Sequence, residues 1–292
     1  MKKNIAILVA SYNGEMFIKE QLNSLLEQKN INMHIYISDD LSTDKTPEII
    51  LDYKNNYKNV TLVNNKNRLG PAKNFYHILN SIDLDLFDYF AFSDQDDIWP
   101  KYKIFNAISL MESMNSDGYS SDFLALQENK NVRYIKKSYK QKKYDYFFET
   151  PGPGCSFVLN KKLTLFIKKF IKKYRCDFPY HDWLFYALAR HNNFKWNIDS
   201  TPNLLYRQHR NNFIGANYGI RPGFKRLNRI LFGDYYRELI SLFNLLHNQK
   251  RQLKFQNVIF FIIRFNHTRR RLIHAILMIP FLLILSIQKN EI

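Results

Sequence analysis

The first hundred residues alternate between two hydrophobic periods. Ile5–Ala10 is an unbroken apolar, β-branched run, which predicts a strand buried on both faces. Between Glu15 and Gln28 the apolar positions Phe17, Ile18, Leu22, Leu25 and Leu26 follow helical spacing. His34–Ser38 predicts a second strand. Thr46-Pro47-Glu48 predicts a helix start, because proline fits the first turn, with an acid beside it. Val60–Val63 and Tyr89–Phe92 predict further strands on either side of a helix over 71–79. Strands and helices alternating at this spacing build βαβ units, so the expected class is α/β with a doubly wound, mostly parallel sheet.

Beyond residue 100 the pattern loosens. The Lys- and Tyr-rich stretch 130–143 reads as a mobile or surface segment, and Pro151-Gly152-Pro153-Gly154 as a turn. Cys155–Leu159 and Leu204–Gln208 read as strands, 161–173 and 181–190 as helices. From about Pro222 the chain turns basic and helical. No internal repeat is present. The expected division is a domain over 1–220, in halves 1–110 and 111–220, followed by a basic, apolar helical tail over 221–292.

Composition narrows the class. The chain has 292 residues, 46% of them apolar and 16% aromatic, which supports a large core and excludes disorder. Two cysteines, Cys155 and Cys176, exclude a disulfide framework and a four-cysteine zinc site. The N-terminal apolar run stops at Ser11, too early for a signal peptide, so a cytoplasmic protein is expected. The net charge of +17 is uneven. Residues 1–220 carry 30 basic and 23 acidic side chains, a net of +7; residues 221–292 carry 13 and 3, a net of +10. Such an excess points to nucleic acid or an anionic membrane surface. The apolar run 272–287 in the same tail favours the membrane.

Candidate chemistry sits where strands end. Ser11-Tyr12-Asn13-Gly14 follows the first strand, Asp39-Asp40-Leu41-Ser42-Thr43-Asp44 the second, and Ser93-Asp94-Gln95-Asp96-Asp97 the fourth. Open α/β sheets bind ligands beyond the carboxyl ends of their strands. Carboxylates from two strands crowded on one edge repel unless a cation or donors neutralise them, and Mg2+ with substrate phosphates is the simplest answer. Turn chemistry accounts for one such cluster, and Asp44 before Thr46-Pro47 reads as a cap; three successive clusters are harder to explain that way. No loop carries a glycine-rich dinucleotide or P-loop motif.

These motifs resemble glycosyltransferase family 2, with its GT-A nucleotide-sugar fold. ILVASYNGEMFIKEQLNSLLEQ resembles the family's first strand and helix, ISDDLSTDKTPEII its second strand, and FSDQDDIW its acidic DxD signature. GCSFVLN, HDWLF and YRQHRNNFIGAN resemble acceptor-side motifs of members that build bacterial surface polysaccharides, in a rhamnosyltransferase-like branch. The resemblance implies that Ala10, Ser11 and Tyr12 wall a nucleobase pocket and that Asp39 accepts a hydrogen bond from a pyrimidine N–H. It implies Asp94 beside the ribose and diphosphate, and Asp96 on a bridging Mg2+ or Mn2+. Arg68 is either near the nucleotide or a solvated surface charge. His209 is either a metal or diphosphate group or a structural histidine, with Arg207 and Arg210 adding positive charge nearby.

Sugar transfer needs a base for the acceptor hydroxyl and charge neutralisation for the leaving diphosphate. Asp182 of His181-Asp182-Trp183 is the expected base, although an Asp at a helix start is usually a cap. Trp183 is expected to stack on a sugar and His181 to lie on the acceptor side, where it replaces a more usual acid. The implied reaction is inverting transfer from a pyrimidine nucleotide sugar, dTDP-rhamnose first, to a glycan on a polyprenyl diphosphate in O-antigen or capsule synthesis. UDP-glucose, UDP-galactose and a UDP-N-acetylhexosamine are the alternative donors. The tail is expected to lie on the inner membrane face, with Arg269-Arg270-Arg271 at lipid phosphates; a buried helical hairpin is the alternative. A nucleic-acid-binding protein is the competing class, suggested by the basic, aromatic run 136–148. The acidic strand ends do not fit it, so no nucleic-acid partner is expected. The intact acids also argue against an inactive scaffold.

Overall fold

A computed structural model describes residues 2–209, 234–247 and 255–287. Arg210, much of YRQHRNNFIGAN and the expected domain boundary near 220 lie outside these residues. Two compact units are present, one formed by 1–138 and 151–211, the other by 139–150 and 212–292.

The first unit is a mixed α/β layer structure. Its strands are β1 (Asn4–Ser11), β2 (Asn32–Asp39), β3 (Val60–Val63), β4 (Tyr89–Ser93), β5 (Gly118–Ser121), β6 (Phe123–Leu126), β7 (Val132–Ile135), β8 (Val158–Asn160), β9 (Trp196–Asp199) and β10 (Leu205–Arg207). Its helices are α1 (Ile18–Leu26), α2 (Thr46–Asn56), α3 (Pro71–Ser81), α4 (Lys103–Ser113), α5 (Lys161–Tyr174) and α6 (His181–His191). The main sheet runs β3-β2-β1-β4-β8-β5-β9, and β10-β6-β7 form a small second sheet. β3, β2, β1 and β4 are parallel, while β8 enters antiparallel to both β4 and β5.

Central burial explains the apolar run of β1. Ile5, Ala6, Ile7, Leu8 and Val9 are wholly buried, covered on both faces of the sheet. Each large aliphatic side chain there contributes roughly 1.5–3 kcal/mol of burial. α1 starts three residues later than its spacing suggests. The N–H groups of Phe17 and Ile18 both turn back to the Gly14 carbonyl, so 14–17 form the entry turn. At the β8 position, Gly154–Ser156 coil into a 3-10 turn and the strand begins only at Val158. Asn160 ends that strand and caps α5, accepting the Leu163 N–H at 2.9 Å.

The segment read as mobile or surface is partly a strand. β7 pairs antiparallel with β6. Buried Asp122 gathers the Tyr134 hydroxyl, the N–H groups of Lys137 and Ser138, and the Ser138 hydroxyl. One distant acid thus fastens a stretch whose own residues look solvated.

The second unit is helical, with α7 (Asp234–His247), α8 (Phe255–Ile263) and α9 (Leu272–Ile287). Tyr146, Phe147 and Phe148, three of the five aromatics of 136–148, are buried in it and so are not displayed on a basic face. Phe147 packs on Phe243, His247 and Phe261. The expectation for the arginine triplet needs correcting. Arg270 is buried, with its backbone N–H on Glu149 at 2.6 Å and its Nε 3.2 Å from the same carboxylate. A buried cation needs such a partner, and the pairing takes Arg270 away from any lipid phosphate. Arg269 donates to the Tyr235 hydroxyl at 3.1 Å, and Arg271 is exposed. Among the described residues, no helix is long and apolar enough to cross a membrane.

Candidate active site

The sheet order sets three polar strand ends side by side. β1 lies between β2 and β4, with Ser11 opposite Asp39 and Val9 opposite Ser93. Half-buried Ala10 pairs in register with Ser38. The chain leaves the sheet at each point, where open α/β sheets bind ligands.

The first two ends are held by side chains bonded to backbone. Asp39 accepts the Ser11 hydroxyl at 3.0 Å, the Ser42 N–H at 2.8 Å and the Ser42 hydroxyl at 2.6 Å. Buried Asp40 accepts the N–H groups of Leu69 and Gly70 at 2.6 and 2.7 Å, which fixes the loop carrying Arg68. The Arg68 guanidinium is exposed yet lies over the Tyr12 ring, 3.9 Å from its centre, beside the first strand end. Asp44 accepts from the N–H of Thr46 at 2.9 Å and of Glu15 at 3.1 Å. Burial works against its charge, but the bonds from Thr46 and Glu15 outweigh this and hold its carboxyl below the usual range. It acts as a cap and loop tie, as its position suggests.

The third end concentrates acid. Burial, then the Asp96 charge, push the Asp94 carboxyl up to about 7, with a Cys155 hydrogen bond pulling the other way and Asp182 adding a smaller push. Asp182 is therefore within electrostatic reach of Asp94. Burial and the charges of Asp96 and Asp94 raise Asp97 well above the carboxylate range. Asp96 meets the His209 ring at 2.7 Å, and that ring stacks on Phe17 at 4.7 Å. Arg207 donates to the Asp96 carbonyl at 2.9 Å and pairs with Glu20. Its guanidinium is thus tied to protein groups, although the sequence pointed it toward a diphosphate.

Behind the acids lies a wholly buried lysine that the motif reading missed. Lys103 donates to the Cys155 carbonyl at 2.5 Å and sits over the Trp99 ring. Burial brings its pKa down to about 7, while Cys155, Asp97 and Asp94 act to raise it. Asp97, Asp40 and Gln95 were also unassigned from sequence, although all three lie inside the motifs. Lys103 carries no motif signal, being simply the first residue of α4.

The α6 end is built from rings. Asp182 accepts the Trp183 N–H at 2.7 Å in the first turn of the helix. His181 is buried against Phe75 at 4.3 Å and near Phe185 and Phe92. Burial drives its pKa down to about 3, so its ring is neutral. Its Nε2 has no hydrogen-bond partner among the described residues. Trp183 packs edge-on against Phe178 and is 7% exposed, which leaves little of its face for a sugar.

A divalent cation fits this donor set. Carboxylate oxygens on Asp94 and Asp96 and the imidazole of His209 are ligands that Mg2+ or Mn2+ accepts. Among the described residues, buried Asp97 Oδ2 lacks a hydrogen-bond partner, a sign that the turn is short of positive charge. Asp94, Asp97 and Cys155 also bring ligand atoms within 4.8 Å of one another. Burial raises the Cys155 thiol well above its usual value, and sulfur is a soft ligand that suits Mg2+ and Mn2+ less than carboxylate oxygen does.

Residues 6–174 match the family described as Glycosyl transferase family 2. The chain is 42% identical over 243 residues to the dTDP-rhamnosyl transferase RfbG of Shigella flexneri, covering 82% of this chain and 84% of that one. It is 26% identical to the UDP-Glc:alpha-D-GlcNAc-diphosphoundecaprenol beta-1,3-glucosyltransferase WfgD of Escherichia coli, over 65% of this chain and 71% of that one. Among solved structures, S. aureus TarS in complex with UDP superposes with a TM-score of 0.57 at 19% identity, covering 86% of this chain and 67% of that chain. The mannosyltransferase PcManGT of Pyrobaculum calidifontis, in complex with GDP-Man and Mn2+, gives 0.56 at 14% identity, covering 97% and 73%. These structural likenesses identify the fold as GT-A. The match over more than half the chain and the relative at 42% identity lead to one conclusion: the chain belongs to glycosyltransferase family 2.

Proposed function

We propose that this glycosyltransferase moves rhamnose from dTDP-rhamnose to a lipid-linked glycan in bacterial surface polysaccharide synthesis, inverting the anomeric carbon. The carrying observation is the 42% identity, over 82% of the chain, to a dTDP-rhamnosyl transferase. The lipid-linked acceptor is supported by the name of the Escherichia coli relative, which acts on a sugar diphosphoundecaprenol.

In this reading Ala10, Ser11, Tyr12 and Arg68 enclose the pyrimidine and Asp39 accepts its N–H. Asp94 lies beside the ribose and diphosphate. Asp96 and His209 would hold Mg2+ or Mn2+. The cation, when bound, supplies Lewis-acid neutralisation of the departing diphosphate. Asp182 takes the acceptor hydroxyl proton as the oxygen attacks the anomeric carbon from the face opposite the diphosphate. The bond to the diphosphate breaks and its electron pair leaves with the nucleotide. His181 and Trp183, both buried, shape the acceptor wall from behind.

The second unit supports a peripheral position on the inner membrane face. α9 exposes Leu272, Ile273, Ile276 and Leu277 along one side, next to exposed Arg271. An apolar helix side flanked by cationic residues suits the interface of an anionic bilayer.

A panel of nucleotide sugars with a lipid-linked glycan acceptor tests the donor. Transfer from dTDP-rhamnose at least tenfold faster than from UDP-glucose, UDP-galactose or UDP-N-acetylglucosamine is expected. A UDP sugar that outpaces dTDP-rhamnose overturns the donor assignment.

A further inference from the structure

Two loops that meet at the strand ends are joined by a single side chain. Gln95 is the middle residue of the acidic turn after β4. Its Oε1 accepts the Tyr12 N–H at 2.8 Å, and its Nε2 donates to the Tyr12 carbonyl at 2.9 Å. The side-chain amide therefore completes the backbone of the loop after β1 as a neighbouring strand would. Tyr12 is also the residue whose ring carries Arg68. Space for the amide comes from Gly14, where a Cβ would stand 2.3 Å from Gln95 Oε1 and 2.6 Å from its Cδ. Cβ atoms essentially never come that close, so a side chain at position 14 makes the Gln95 amide shift.

We propose that Gln95 is a positioning residue that clamps the Tyr12 backbone, so that the loop facing the nucleobase and the turn facing the diphosphate close as one body. The proposal rests on the reading of these strand ends as the nucleotide site. Gln95 acts through Tyr12 and Arg68 on one side and through its chain neighbours Asp94 and Asp96 on the other. Two hydrogen bonds from an uncharged amide suit this role, because they add no further charge to a crowded acidic turn. A glutamate at position 95 keeps the acceptor for the Tyr12 N–H but loses the donor for its carbonyl. Glycine at position 14 follows from the clamp: it keeps the slot open.

The test compares Q95A, Q95E, G14A and the double variant Q95A/G14A in the full chain. Hydrogen–deuterium exchange at the Tyr12 amide is read without ligand. Binding of dTDP, UDP and GDP with Mn2+, and of Mn2+ alone, is read by calorimetry. Q95A is expected to speed Tyr12 exchange and weaken nucleoside diphosphate binding about tenfold each, with Mn2+ binding within twofold of the parent. G14A is expected to match Q95A, Q95E to lose at least as much nucleotide binding because it adds charge to the acidic turn and faces the Tyr12 carbonyl with a carboxylate, and G14A to add nothing in the Q95A background. Multiplying losses in the double variant, unchanged Tyr12 exchange in Q95A, or an equal loss of Mn2+ binding each overturn the clamp. If the parent binds none of the three nucleotides, the nucleotide-site reading fails, and the exchange data still decide whether the clamp exists.

Discussion

The strand-end loops and the α6 end of the first unit are built in opposite ways. At the strand ends, polar side chains bond to backbone: Asp39 to Ser42, Asp40 to Leu69 and Gly70, Gln95 to Tyr12. At the α6 end, His181, Phe75, Phe92 and Phe185 pack as rings, and Trp183 packs against Phe178. Hydrogen bonds fix loops to a fraction of an ångström, which suits charged phosphates. Ring packing fixes a wall by shape, without directional bonds. The contrast teaches that one site can be rigid by bonding on one side and by packing on the other.

The largest expected effect tests whether the α6 end carries chemistry at all. Asp182→Asn should slow transfer by about 10²–10⁴-fold with donor affinity unchanged, read as kcat against the donor Kd. Near-normal turnover would remove Asp182 as the base and leave it as a helix cap. A middle-sized effect probes the polar side. Asp40→Asn presents an amide to two backbone N–H groups and should cost about 1–3 kcal/mol of stability, measured by denaturant unfolding. It should also weaken nucleotide binding by freeing the Arg68 loop. A variant as stable as the parent would show that this network is ornamental.

The last test probes the aromatic side through pH. The buried ring of His181 titrates near 3, against 6.5 in an unfolded chain. Its folded pKa is depressed, so the unfolded state takes up the proton first, and stability falls as pH drops from about 6.5 toward 3. The slope from this one group is at most about 1.4 kcal/mol per pH unit. His181→Leu should flatten the melting temperature between pH 6.5 and 4.5 relative to the parent. Parallel curves for the two proteins would refute the buried, neutral ring.

The same contrast decides what was legible in the sequence. β1 to β4, α1 and α3 follow from hydrophobic period, and α2 from its Thr46-Pro47-Glu48 start. The strand-end acids were legible as a candidate site by their crowding, but not which of them, like Asp40 and Asp44, are spent on tying loops. β5 escaped notice because Gly118, Ser120 and Ser121 are small or polar. Its burial rests on bonds such as Trp196 Nε1 to Ser120 at 3.0 Å, which join residues distant in sequence. Lys103 escaped because nothing local distinguishes a buried lysine from a solvated one. His181 and Trp183 show the limit of motif reading: their positions were legible, but not which side of each ring is covered. Arg270 shows the same for charge, since its partners Glu149 and Asp145 lie over a hundred residues earlier.

The chain's two cysteines, Cys155 and Cys176, are both free and buried. Burial raises both thiols above their usual value, so neither offers a ready thiolate to an alkylating or oxidising reagent. The native protein is therefore a silent background for thiol labelling. A cysteine placed at Leu277, on the exposed side of α9, becomes the one rapidly reacting sulfur, and a fluorophore there can report on its surroundings in the working enzyme.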